Sequence, residues 1–192
     1  MRARLYVSIA PDLRAEREAI GRAVADLPVD VGWEVDITPG PLDPPGDPQA
    51  AARAHVYVLV MGEDIRAPMG VEWVAARRGG AAIVALLKEG PRTPAAHEFV
   101  KATDVDWQGY TAASELGARV QRVLAQALLD RGREFELKVI ESQALADYIK
   151  TLNERHTGDD RPDDRDGAGR GGVIFAPSRE AGQGGVEIHR RR

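Results

Sequence analysis

Two kinds of stretch alternate along this chain: short runs apolar on both faces, and longer ones with an apolar residue every third or fourth place. The first run, Leu5 to Ala10, is broken only by Ser8 and reads as a strand covered on both sides. Pro11 and Asp12 punctuate it, and Leu13, Ile20, Val24 and Leu27 then share one helical face. Val29 to Val35 alternates with a period of two, so one face is wetter and an edge strand is expected. The prolines at 39, 41, 44, 45 and 48 exclude a helix or central strand from the stretch that follows. Asp47 as N-cap with Pro48 at the first helical position predicts a short helix to Ala54.

From His55 the pattern repeats. Val56 to Val60 is apolar on both faces and is expected at the centre of the sheet. Gly62 to Met69 reads as a polar turn, and Gly70 to Arg78 as a helix closed by Gly79 and Gly80. Residues 81 to 88 form a fourth strand, Pro94 to Thr103 a helix, and Val105 to Tyr110 a weak fifth strand. Thr111 or Ser114 is expected to cap a long helix whose Leu116, Val120, Val123, Leu124, Ala127 and Leu128 share a face. Strands alternating with helices in this way predict an α/β fold: an open parallel five-stranded sheet with helices on both faces. Right-handed crossovers favour the flavodoxin-like order 2-1-3-4-5. In that order a crevice opens above the first and third strands. Its walls are the turn Ser8 to Asp12, the turn Gly62 to Met69 and the start of the helix carrying Glu72.

Beyond Asp130, Leu137, Ile140, Leu145, Tyr148, Ile149 and Leu152 recur at helical steps, predicting an extra helix over 134–154. Two uses stay open for it: packing back on the sheet, or joining a second copy or another protein, together with the tail. The stretch 157–172 is acidic, Gly-rich and almost free of aliphatic side chains, so disorder is expected. Val173 to Phe175 and Val186 to Ile188 are two β-like fragments within a low-complexity tail. The expected organisation is therefore an α/β domain over 1–130, the helix over 131–155 and a flexible tail over 156–192.

Composition narrows the function classes. A net charge of −4, from 30 acidic and 26 basic residues, leaves no basic stripe for nucleic acid. The absence of cysteine removes disulfides, thiolate metal sites and cysteine nucleophiles. No signal peptide is read at the start, and no apolar run approaches the ~18 residues of a membrane span. A cytoplasmic protein is the expectation. His55, His97, His156 and His189 are scattered without ligand spacing, so no metal site is expected.

Val7, Ser8, Asp12, Leu13, Glu16 and Arg17 resemble the opening of an uncharacterised prokaryotic family, a strand ending V-S-S-T before a helix beginning D-L-x-x-E-R. Tyr57, Val58, Leu59, Gly62, Glu72, Ala75 and the strand 82–87 follow in the order of that family, so the likeness spans about residues 3–128. The opening here lacks the second serine and the threonine, and His55 stands where an aspartate is usual. The family resembles TIR domains and nucleoside 2-deoxyribosyltransferases. That resemblance implies a nucleotide or nucleoside derivative as ligand, with NAD or a related nucleotide as substrate rather than cofactor. It also implies a glutamate that cleaves or transfers an N-glycosidic bond, in prokaryotic signalling or defence.

Glu72 is the candidate for that glutamate, since a carboxylate can stabilise or attack an oxocarbenium-like anomeric carbon. A glutamate in the first turn of a helix is equally explained by the helix dipole. Trp73 could stack on a base or lie in the core. Ser8 could bind a ribose hydroxyl or phosphate, or simply the following turn. Asp12 is the expected N-cap of the first helix, with Glu16 completing a capping box, and otherwise a ligand contact. Arg17 could hold a phosphate near that helix start, or form a solvated ion pair with a neighbouring acid. Glu63 and Asp64 flank the crevice as further carboxylates. Against catalysis stands a non-catalytic assembly module that uses the 134–154 helix and the tail.

Overall fold

The computed structural model describes the backbone of residues 2–10, 12–40 and 47–159, and the side chains of these up to Glu154. Five strands, β1 (Ala3–Ile9), β2 (Trp33–Ile37), β3 (Val56–Met61), β4 (Ala82–Lys88) and β5 (Trp107–Tyr110), pair in parallel in the order β2-β1-β3-β4-β5. The helices are α1 (Arg14–Ala25), α2 (Pro48–Arg53), α3 (Ala67–Gly79), α4 (Pro94–Ala102), α5 (Leu116–Asp130) and α6 (Val139–Asp159). This is the expected fold class and strand order. β3 is buried along its whole length because it lies between two strands and two layers of helix.

Alternation along β1 sorts its side chains between those layers. Leu5, Val7 and Ile9 join Ile20 of α1 and Leu124 and Leu128 of α5 in one core. Tyr6 enters a second core with Tyr57, Leu59, Met69, Trp73 and Ala96. Ser8, two residues beyond Tyr6, points to that second side. The register Leu5↔Val56 through Ile9↔Val60 sets the ends of β1 and β3 side by side.

Several local expectations need correction. The second strand begins at Trp33 rather than Val29, because pairing starts at Ala3↔Trp33, with Ala3 N–H bonded to the Gly32 carbonyl. Val29 and Val31 pack on the core from the loop before it. The helix of Glu72 begins at Ala67 rather than Gly70. Pro68 is tolerated in its first turn, where backbone N–H groups have no intrahelical acceptor. Asp12 does not cap α1: the cap position is Leu13 and no side chain bonds there. Thr111 and Ser114 do not cap α5. Instead Glu115 reaches back to the backbone N–H groups of Thr111 and Ala112. Asp47 does cap α2, accepting from Gln49 N at 2.8 Å.

The region 131–137 is a turn rather than helix, and Glu136 within it has a positive φ of 53°. α6 then packs against α5, with Leu145 in the first core and Leu152 buried. It reaches Asp159, slightly into the stretch expected to lack structure. The expectations for 160–192, including both β-like fragments, lie outside the described residues. No helix among the described residues is long and apolar enough to cross a membrane.

Candidate functional site

Glu72 lies in the second turn of α3, so the dipole argument for a first-turn glutamate does not apply. Its side chain faces the sheet and the residue is only 2% exposed. Three hydroxyls meet the carboxylate. Tyr6 Oη donates to Oε1 at 2.8 Å, Ser8 Oγ to Oε2 at 2.6 Å and Thr38 Oγ1 to Oε2 at 2.8 Å. Tyr6 and Ser8 reach it together because they are two apart on one strand and share a face. Thr38 stands one residue past β2, where its N–H continues the pairing to the Val7 carbonyl at 3.0 Å.

The Thr38 hydroxyl has one proton to give. Glu72 at 2.8 Å is its close acceptor, whereas Val7 O and Ser8 Oγ lie at 3.5 Å. Its oxygen in turn accepts from Ile9 N at 3.2 Å. The three hydroxyls provide the polar surroundings that a buried carboxyl group requires.

An aromatic wall adjoins this cluster. The Tyr6 and Tyr57 rings stack at 5.9 Å, and Trp73 meets Tyr57 at 6.2 Å. Burial, reinforced by the hydrogen bond to Glu72, pushes the Tyr6 phenol far above its ordinary range. Burial does the same to Tyr57, with the Ser8 side chain beside its hydroxyl partly offsetting it. Trp73 is itself core, and the Arg77 guanidinium lies 5.5 Å from its ring centre.

The other candidates are dispersed. Asp12 and Glu63 line a cavity of about 130 Å³ at the ends of β1, β3 and β4, with Lys88 and Glu89 on its far side. Lys88 Nζ pairs at 2.8 Å with Glu16, which is buried, so Glu16 serves this ion pair rather than a capping box. Asp64 is a loop staple, accepting from Ile65 N at 2.8 Å and Thr93 Oγ1 at 2.6 Å. Those bonds, the Thr93 hydroxyl first, hold its carboxyl below the ordinary range. Arg17, with Arg14 and Gly40, lines a separate cavity of about 370 Å³, and its Nη2 is buried without a partner. Glu72 lines neither cavity.

Of the residues singled out in the sequence, the structure joins Ser8 and Glu72 by a side-chain hydrogen bond and sets Asp12 and Glu63 around one cavity. Tyr6, Thr38 and Tyr57 were missed. The signal for Tyr6 is its i, i+2 relation to Ser8, whereas nothing local marks Thr38. Among the described residues no group of three or more His, Asp or Glu side chains could hold a metal. The carboxylate is fixed on both oxygens, beside aromatic rings, at the end of the sheet where strand order reverses. Such a group can stabilise positive charge on a ligand atom brought against it. No family model, curated protein or solved structure matches this chain.

Proposed function

We propose that the chain binds a nucleotide or nucleoside derivative at the C-terminal end of β1 and that Glu72 cleaves its N-glycosidic bond. The observation that carries this reading is the 2.6 Å bond from Ser8 to Glu72 at the switch point between β1 and β3. The likeness of the Val7–Arg17 stretch to an uncharacterised prokaryotic family, itself similar to TIR domains and deoxyribosyltransferases, supports the same chemistry. As the bond to the base breaks, positive charge grows on the anomeric carbon, and the oriented carboxylate stabilises or captures it. Because Glu72 is buried, ligand entry displaces one hydroxyl partner. Thr38, just past the edge strand β2, is the one that yields, since Tyr6 and Ser8 lie on a strand paired on both sides. A prokaryotic signalling or defence role in the cytoplasm accompanies this reading.

The test is to incubate the purified chain with NAD, NADP and a panel of nucleosides, dilute and under crowding, beside Glu72→Gln. Release of nicotinamide or free base by the wild type alone supports the proposal. No release under either condition, from protein with native circular dichroism, removes it.

A second reading, a non-catalytic assembly module, is favoured by one observation: Val139 and Ile140 at the start of α6 are 88% and 76% exposed. It predicts self-association or partner capture through α6 and the tail. Light scattering that gives the same mass for wild type and a Val139→Asp, Ile140→Asp double variant counts against self-association.

A further inference from the structure

His55, immediately before the central strand β3 at the N-terminal end of the sheet, is buried at 3% exposure. Its Nδ1 accepts the backbone N–H of Arg4 at 2.9 Å. An accepting Nδ1 carries no proton, so the neutral ring bears its hydrogen on Nε2. That nitrogen faces Glu134 Oε1 at 3.1 Å, and the ring meets Phe135 edge-on at 5.0 Å. Glu134 and Phe135 belong to the turn that leads from α5 into α6.

The backbone of His55 is equally committed. Its N–H donates to Arg4 O at 2.8 Å, and its carbonyl accepts from Ala82 N at 2.9 Å. One residue therefore ties the starts of β1 and β4 to the 131–138 turn. Next to Phe135 that turn holds Glu136 at a positive φ, a conformation a residue with a Cβ does not favour.

We propose that this contact is an acid-sensitive latch: protonation of His55 releases the 131–138 turn and, with it, the docking of α6 on α5. A proton on Nδ1 would set two N–H groups against each other across 2.9 Å, so the Arg4 bond is lost and the ring must move from Phe135. The charged groups around the ring are Arg4 of β1 and Arg131 and Glu134 of the turn. Burial, with the two arginines, opposes the imidazolium, and Glu134 partly offsets them; the balance holds His55 below its ordinary value. Arg131 also reaches the Gly80 carbonyl at 3.4 Å and Glu134 Oε2 at 3.9 Å, a second and longer tie that the turn gives up on release. Release withdraws Leu145 and Leu152 from burial and uncovers Leu124 and Leu128 of α5.

The sign is fixed by linkage. Release of the turn lets His55 return toward its free value of 6.5, so docking is favoured above that value and weakens as the pH falls below it. Uptake of one proton on release sets the ceiling of that loss at about tenfold in the docking equilibrium per pH unit.

Amide-exchange protection factors, corrected for the intrinsic rate, test this on the full chain between pH 7.5 and 5. Protection in 143–152 is expected to fall several-fold while β3 and β4 keep theirs, with the Arg4 amide the position of β1 that follows α6. His55→Gln, whose amide can both accept from Arg4 N and donate to Glu134, is expected to show no such fall. Glu134→Gln removes the charge that favours the imidazolium and is expected to enlarge it. Sheet and α6 losing protection together, an unchanged α6, or the same fall in His55→Gln with Glu134→Gln indistinguishable from wild type each overturn the proposal.

Discussion

Ser8 Oγ and Glu72 Oε2 lie 2.6 Å apart, joining β1 to α3 across 64 residues of chain. The bond does two jobs at once: it helps satisfy a carboxyl group buried against the sheet, and it aims that group at the end of β1. Ser8→Ala is expected to destabilise the fold by about 1.5–3 kcal/mol, the range for a hydrogen bond to a charged group. Thr38→Val falls in the same range, and Glu72→Ala costs more because it strands three hydroxyls. Urea denaturation of the three variants gives the ranking.

A second carboxylate shows what removing a partner does on the opposite side of the sheet. Glu16 is buried and its ammonium partner, Lys88, is partly exposed. Lys88→Ala leaves the acid without its cation and is expected to cost about 2 kcal/mol, below the range for fully buried pairs because water reaches this one. Lys88→Ala with Glu16→Gln recovers part of that loss, as a double-mutant cycle will read.

Close helix packing gives a contrast between two glycines. A Cβ on Gly79 would stand 1.9 Å from the Ala52 carbonyl oxygen, where α2 crosses α3. Gly79→Ala is therefore expected to cost about 3 kcal/mol, as overpacking against backbone does. Gly21, in α1, has nothing within 4 Å of the same position. Gly21→Ala is expected to raise stability by about 0.5–1 kcal/mol through helix propensity. Thermal midpoints moving in opposite directions are the expected outcome.

The pH dependence of the α5 start follows from Glu115. Its hydrogen bonds, from the Thr111 hydroxyl first and then the backbone of Ala112 and Thr111, hold its carboxyl below the ordinary 4.5. The stability it supplies is therefore fully present above pH 4.5 and is lost as pH falls through its lower folded value. Glu115→Gln is expected to lower stability at neutral pH and to flatten that acid limb. Denaturation midpoints from pH 7 to 3 give the measurement.

The strand order was legible because β1, β3 and β4 carry two-sided apolar runs, which only a sheet covered on both faces explains. The limits of β2 were not, since Val29 and Val31 continue its alternation while packing from a loop. The sequence places the start of α3 late because the polar, Pro68-containing stretch Gly62 to Met69 reads locally as a turn. That error put Glu72 in a first turn and made the dipole a rival explanation. Tyr6 was read only as an apolar strand residue, and its bond to Glu72 spans 66 residues that no local pattern connects. His55 gave no sign of its bond to Glu134, because the turn holding Glu134 was read as helix.

The central claim is that the hydroxyl-held carboxylate of Glu72 acts on an N-glycosidic bond. The rate of nicotinamide release from NAD, or of base release from the best nucleoside of the panel, tests it most directly when wild type and Glu72→Gln are compared at equal folded concentration. The expected result is measurable release by the wild type and a fall of about a hundredfold or more in the variant, as for loss of a reacting carboxylate. Equal rates in the two proteins, or none in either, would contradict it and leave Glu72 as the polar anchor of α3 to the sheet.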